Sequence, residues 1–176
     1  MNEPQRTNNA LLFIDGLPGG LGADKQLTLS LVSFPIPKFT VAPIEVPFLN
    51  EKRKFAGNPV YDDLSVVYKD WVDKDTHKIL NAWRYLVHNP ETGQTGRARD
   101  YKKSGHVSLY SPDGEIERQY ALIGVWPSAM DPGEIDMGGE DTVNITMTLT
   151  IDKAIPSLGL SPDGSKFNPG LVKSVL

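Results

Sequence analysis

The 176-residue chain contains no cysteine, which removes disulfides, thiolate metal sites and a thiol nucleophile from consideration together. Histidine occurs three times, at His77, His88 and His106. None forms a His-x-x-x-His pair, and on a helix His77 and His88 would stand about 16 Å apart along the axis, too far to share an ion. No stretch approaches the ~18 consecutive apolar residues of a membrane span, and the opening MNEPQRTNNA has no charged-then-apolar secretion pattern. A soluble chain made in a cytoplasm is expected. Basic charge is also in short supply, with 18 Lys+Arg against 22 Asp+Glu and a net charge of -4. That balance argues against a binder that gains affinity by neutralising phosphates, yet it suits a surface to which DNA must not stick.

Catalytic patterns are missing as well. There is no Gly-x-Ser-x-Gly elbow. Asp70, Asp73 and Asp75 resemble the start of a calcium loop but lack its glycine and closing Glu, so they read as helix-capping acids. Gly16, Gly19, Gly20 and Gly22 lack the Gly-Lys-Ser/Thr ending of a phosphate loop and read as a flexible arm or turn. Neither a cofactor nor a metal is expected, and no enzyme site assembles.

What the chain does have is alternation. In DTVNITMTLTID (141–152), Val143, Ile145, Met147, Leu149 and Ile151 share one side, with Thr142, Asn144, Thr146, Thr148 and Thr150 on the other, the mark of a strand with one core face. QLTLSL at 26–31 reads the same way, as does DDLSVVYKDW at 62–71 with Leu64, Val66 and Tyr68 inward. Pro35, Pro37, Pro43 and Pro47 break the segment between them into edges, bends or the legs of a projecting loop. Over 73–90 the period changes: Ile79, Leu80, Trp83, Leu86 and Val87 fall on one helix face, with Asp73 or Asp75 to cap it and Asn89-Pro90 to stop it. This is the single helix the sequence predicts. A polar loop at 91–105 follows, in which Arg97, Arg99, Lys102 and Lys103 surround Tyr101. It suits a protein contact better than phosphate, because Asp100 lies inside it and the whole chain is acidic. Residues 107–127 read as a hairpin about the Pro112-Asp113-Gly114 turn. The division expected is an arm at 1–24, one α+β domain of mainly antiparallel sheet at 25–155, and a Gly/Pro/Ser-rich extension at 156–176.

Several segments together, PIEVPFLNEKRKFAG (43–57), YDDLSVVYKDW (61–71), the helix through Trp83, Asp100 to Ser104, LIGVWPS (122–128) and NITMTLTID, resemble in order and spacing the tail tube proteins of contractile-tailed bacteriophages. Related tubes serve R-type bacteriocins, extracellular contractile injection systems and type VI secretion. The resemblance implies two packed β-sheets flanked by one helix, joined into a continuous barrel in hexameric rings that stack into a tube. The tube penetrates the host envelope and conducts the genome. It further implies assembly in the host cytoplasm into the virion tail. Implied partners are further copies of the chain, the sheath, baseplate and tail-terminator proteins, and the tape-measure protein and double-stranded DNA in the lumen without specific binding.

By position, the resemblance makes Asn144, Thr146, Thr148 and Thr150 lumen-lining, although a plain solvent-facing sheet surface would also favour threonine. It makes Glu45, Asn50, Lys52, Arg53, Lys54, Asp131 and Glu134 inter-ring contacts, with the basic residues meeting acids at 131–136 or Asp62 and Asp63. Arg97, Arg99, Tyr101, Lys102 and Lys103 would lie at a subunit or sheath interface. A tube or tube-initiator subunit of a DNA-free injection machine, or a monomeric β-rich binding or adaptor module, are the alternatives that the residues leave open.

Overall fold

The structure is a computed structural model and describes residues 8–20, 22–72, 74–138 and 141–158. In chain order the elements are β1 (Ala10–Ile14), α1 (Ala23–Leu29), β2 (Leu31–Ser33), β3 (Phe39–Phe48), β4 (Glu51–Tyr61), β5 (Leu64–Lys69), α2 (Thr76–Val87), α3 (Ala98–Tyr101), β6 (Lys103–Tyr110), β7 (Ile116–Asp131), β8 (Asn144–Thr150) and β9 (Lys153–Leu158). The main sheet runs β1-β6-β7-β8-β5-β2, with β9 also on β7, and β3-β4 form a separate two-stranded ribbon. Every described pairing between named strands is antiparallel.

The long β7 organises the sheet. Its first part lies between β6 and β9, and its last part, from Trp126, pairs with β8. The pairs Ile123 with Lys153 and Trp126 with Thr150 keep one register, so β8 and β9 are one strand folded at Ile151-Asp152 opposite Gly124-Val125. The fold divides the curled sheet into two halves, β1-β6-β7-β9 and β7-β8-β5-β2. Gly124 sits at the corner with φ 69°, a left-handed conformation that L-residues adopt at a cost. The Asp152 carboxylate occupies the space a Cβ there would need. The Asp152 N–H donates to the Ile123 carbonyl at 3.0 Å, and Lys102 Nζ donates to both carboxylate oxygens at 2.8 and 2.7 Å.

A second register continues in the same manner. Phe39 opposite Tyr61 keeps the alignment of Ser33 opposite Val67, so β3-β4 prolongs the β2-β5 pair past the Leu64 end of the sheet. Pro35 and Pro37 lie where pairing lapses, since proline has no N–H for a ladder. At the base of the ribbon the Asp62 N–H donates to the Lys38 carbonyl, and the Lys38 ammonium pairs with the Asp62 carboxylate at 3.1 Å.

One core joins both halves and the helices. Leu64, Val66 and Tyr68 of β5, Ile145, Met147 and Leu149 of β8, and Leu12, Ile14, Val107 and Leu122 meet Leu27 of α1 and Ile79, Leu80 and Trp83 of α2. Trp83 is fully buried and its indole Nε1 donates to the Tyr101 carbonyl at 2.8 Å, which meets the polar requirement of a buried tryptophan.

Four expectations change. QLTLSL is helical up to Leu29: Ala23 and Leu27, four apart, point into the core while Leu29 is exposed. The hydroxyls of Thr28 and Ser30 bond back to the carbonyls four residues earlier, an outlet that makes such residues acceptable in a helix. The chain therefore has three helices among the described residues. Residues 10–14, expected in an arm, form β1, which pairs with β6 and buries Leu12 and Ile14. Third, β7 runs on to Asp131 and does not stop at Trp126-Pro127; this half of β7 has only β8 beside it among the described residues, so Pro127 blocks no second ladder. Fourth, the extension expected from 156 begins inside β9; its residues 159–176 lie outside the described ones.

Replacing Gly124 by Ala is expected to destabilise the fold by about 2–4 kcal/mol, from left-handed strain and a displaced carboxylate. That corresponds to a fall in Tm of roughly 5–15 °C, read by circular dichroism. Gly114→Ala, at a positive φ with open space around it, should lose only ~1–2 kcal/mol.

Candidate functional site

The surfaces with functional potential are three, and β8 carries the first. Its inward residues Ile145, Met147 and Leu149 are fully buried. On the opposite face stand Asn144, Thr146, Thr148 and Thr150, with Asn144 exposed and the threonines part-exposed. Directly paired residues of an antiparallel ladder point the same way. The threonine face therefore includes Ser65, Val67 and Lys69 of β5, and Trp126, Ala129 and Asp131 of β7. Lys69 and Asp131 fall at one end of it, while Thr148 has the uncharged neighbours Ser65 and Ala129. The middle of this face is a field of hydroxyls and small groups without charge.

The second surface is the β3-β4 ribbon. Nearly every residue on it is exposed. Its charged residues answer one another: Glu45 pairs with Lys52 at 3.4 Å and Lys54 at 3.6 Å. Within the single chain these lysines meet an acid of their own hairpin, at exposed surface pairs worth little individually. Arg53 points to the other side and lies over the Phe48 ring at 4.1 Å. Asn50 forms the turn with Leu49.

The third surface lies at the end of the sheet remote from that ribbon. Asp131 closes β7 there and accepts the Gly133 N–H at 3.0 Å; Glu134 follows, with Ile135 and Met137 exposed. Trp71 and Val72 leave β5 at the same end, also exposed, and the ammonium groups of Lys69 and Lys74 lie over the Trp71 ring at 5.4 and 5.3 Å.

The basic loop does not act as a unit. Arg97 precedes α3 and Arg99 sits beside Asp100 at 3.5 Å, both exposed. Tyr101 packs edge-on against Trp126 at 5.8 Å, Lys102 serves the sheet corner, and Lys103 begins β6. His77 bonds to Asn81 on α2, while His106 stacks on Phe13 at 5.2 Å; burial lowers its pKa against the opposing charge of Asp15. Among the described residues no three His, Cys, Asp or Glu side chains converge to hold a metal, and no helix is long and apolar enough to cross a membrane.

No family model matches the sequence. Over 133 residues the chain is 25% identical to the tail tube protein gp19 of Enterobacteria phage T4, covering 73% of this chain and 80% of that protein. A tail tube protein of Serratia phage KSP90 aligns at 19% identity over 67% of each chain. Both relatives are tail tube proteins, and the chain is similar to the contractile tail tube family in sequence. The relatives support a structural tail tube subunit. Its fold matches the tube-terminating cap of the anti-feeding prophage, with a TM-score of 0.68 over 89% of this chain and 92% of that one at 14% identity. It matches a chain of a sheath-tube complex of an extracellular contractile injection system at 0.62, with 87% and 90% covered and 15% identity.

Sequence reasoning missed two features of the tail tube subunit. The Gly124-Asp152-Lys102 corner had no signal beyond a glycine inside an apolar strand. The two-sidedness of the ribbon was readable, because Ile44, Val46 and Phe48 alternate with Pro43, Glu45 and Pro47.

The two faces of β8 should respond oppositely to the same charge. Thr148→Lys is expected to change stability by no more than ~1 kcal/mol, whereas Met147→Lys, which buries an unpaired ammonium, should cost over ~4 kcal/mol. Thermal unfolding of both proteins checks this, and a collapse of the Thr148 variant would show that this face is buried.

Proposed function

We propose that the chain forms hexameric rings whose half-sheets β7-β8-β5-β2 join edge to edge into one barrel, and that stacked rings make the tail tube of a contractile phage. The observation that carries this reading is a four-stranded half-sheet with two edges unpaired among the described residues, β2 and the end of β7, and a hydroxyl face turned from the core whose middle is uncharged. Open edges invite aggregation in a monomer and are consumed when neighbours close a ring. Six copies of four strands give ~24 strands, which at ~4.8 Å spacing and ~40° tilt make a barrel about 150 Å around and about 48 Å across at the backbone. A duplex fits inside after side chains are subtracted.

On this reading Asn144, Thr146, Thr148 and Thr150 face the lumen, where hydroxyls wet the wall without the salt-dependent grip that Lys or Arg would exert on phosphate. Double-stranded DNA and the tape-measure protein occupy the lumen unbound. The sheath, baseplate and terminator are the outer and end partners, with Arg97 and Arg99 at a subunit or sheath interface. The ribbon reaches the adjacent ring, where Asp131 and Glu134 offer acids to Arg53. Function is structural and needs no catalysis. The phage relatives favour genome delivery over a DNA-free machine, whose tube would share the same architecture.

Electron microscopy of the purified chain in negative stain should show six-fold rings and hollow tubes. A protein that stays monomeric at high concentration, with no partner able to trigger polymerisation, would overturn the proposal. In a phage carrying Thr146→Lys with Thr148→Lys, tails are expected to assemble while genome delivery falls by at least tenfold.

A further inference from the structure

The hydroxyl face of the half-sheet β7-β8-β5-β2 has a single cation. Among the described residues that the ladders place on this face, from Ser33 of β2 to Asp131 of β7, Lys69 alone is positively charged. It stands opposite Asn144 at one end of the face. Asp131 lies at the same end, yet Lys69 makes no ion pair among the described residues. An ammonium on a flexible four-carbon stem is the group that grips a passing phosphate, since each such contact releases a counterion and adds salt-dependent affinity.

Two residues further on stands an indole that lies outside the core. Beyond Lys69 the ladder gives one more rung, with the Asp70 N–H donating to the Val143 carbonyl at 3.0 Å. The chain is therefore still extended, and Lys69 and Trp71 share a face. It then turns back, and the Lys74 N–H donates to the Trp71 carbonyl at 3.2 Å. Two ammonium groups are brought to the ring in this way, Lys69 Nζ at 5.4 Å and Lys74 Nζ at 5.3 Å from its centroid. Both fall within the ~6 Å over which a ring face attracts a cation. Trp71 is 43% exposed, whereas the indole of Trp83 is fully buried. Tryptophan is the best aromatic partner for a cation; an aliphatic residue in its place would leave both ammonium groups free.

We propose that Trp71 is a positioning residue that holds the Lys69 ammonium against its ring and so keeps the wall of the bore from gripping DNA. The proposal rests on the tube reading, in which this face lines the lumen, and it names what restrains the one cationic point of that face. The charge is not removed. Held at the ring, the ammonium gives up the extended rotamers by which a lysine reaches a phosphate. At a partly exposed site such an interaction shifts the balance between held and free by a factor of roughly 2–5. That is modest for one residue, but it recurs in every copy around a ring and in every ring along the tube, and weak contacts at a regular repeat add up along a polyanion.

Assembled tubes of the full chain test this, with a short fluorescent DNA duplex of mixed sequence as the probe. Cosedimentation at low salt should find little duplex held by wild-type tubes and at least threefold more held by Trp71→Ala tubes, with the excess lost as salt is raised. Trp71→Phe, which keeps a ring for the cation, should stay within twofold of the wild type. Lys69→Met in the Trp71→Ala background should bring retention back to within twofold of the wild type, a rescue that a merely structural role of the indole would not give. Equal retention by Trp71→Ala and wild-type tubes would overturn the proposal, as would an excess that survives Lys69→Met. Trp71→Ala chains that fold but no longer form tubes would show that the indole is an assembly contact, and would overturn it too. A wild type that forms no tubes refutes the tube reading itself, and this proposal with it.

Discussion

The corner at Gly124 is the constraint from which the rest of the structure follows. A single antiparallel ladder joins β7 to the β8-β9 strand, and a flat version of it could not wrap the helices or present two differently directed half-sheets. Folding it requires one residue in the left-handed region and a way to satisfy the groups exposed at the crease. Gly124 meets the first requirement. Asp152, bonded through its backbone to Ile123 and through its carboxylate to Lys102, meets the second. Two ordered oxygens against one ammonium form a better arrangement than the scattered ion pairs elsewhere on the surface, because a bidentate geometry fixes direction as well as distance. Lys102 also leads directly into β6, so the same contact sets where the first half-sheet begins.

From that corner the chemistry of the faces sorts itself. The concave side collects the large apolar residues of β5, β6, β7 and β8 around Trp83 and Leu80. The middle of the outer side of the second half-sheet is left with threonine, serine, alanine and Val67, whose short side chains suit a pleated surface. The ribbon extends this half-sheet in register, and among the described residues its apolar side chains Ile44, Val46, Phe48 and Phe55 stay about half exposed.

Legibility in the sequence followed the length of the periodic signal. β5, β8 and α2 each repeat their pattern over six or more residues; of the residues assigned to their buried sides, Leu64, Val66, Tyr68, Ile145, Met147, Leu149, Ile151, Ile79, Leu80 and Trp83 are buried, while Leu86, Val87 and Val143, at the ends of the pattern, are part-exposed. α1 failed because the nine residues 23–31, apolar at 23, 27, 29 and 31, satisfy both periods, and tertiary contact of Ala23 and Leu27 decided between them. β1 failed because a five-residue strand beside a glycine run looks like a tether until its partner β6 is known. The charge pairs were beyond reach for a related reason: whether Lys52 meets Glu45 or a distant acid depends on hairpin register, which no local pattern states.

The folded ladder has a mechanical meaning. Its hydrogen bonds lie across the strands, and strands in a closed barrel tilt by about 40° from the axis. A thrust along the axis therefore has a large component parallel to the strands, and it loads the rungs of β7 against β8 and β9 in shear, many at once, where a peeling force would open them singly. In the barrel proposed above, the crease at Asp152 would divide that load between two half-sheets, one turned towards the bore and one towards the outside, so that a wall one subunit thick would resist buckling as a corrugated sheet does.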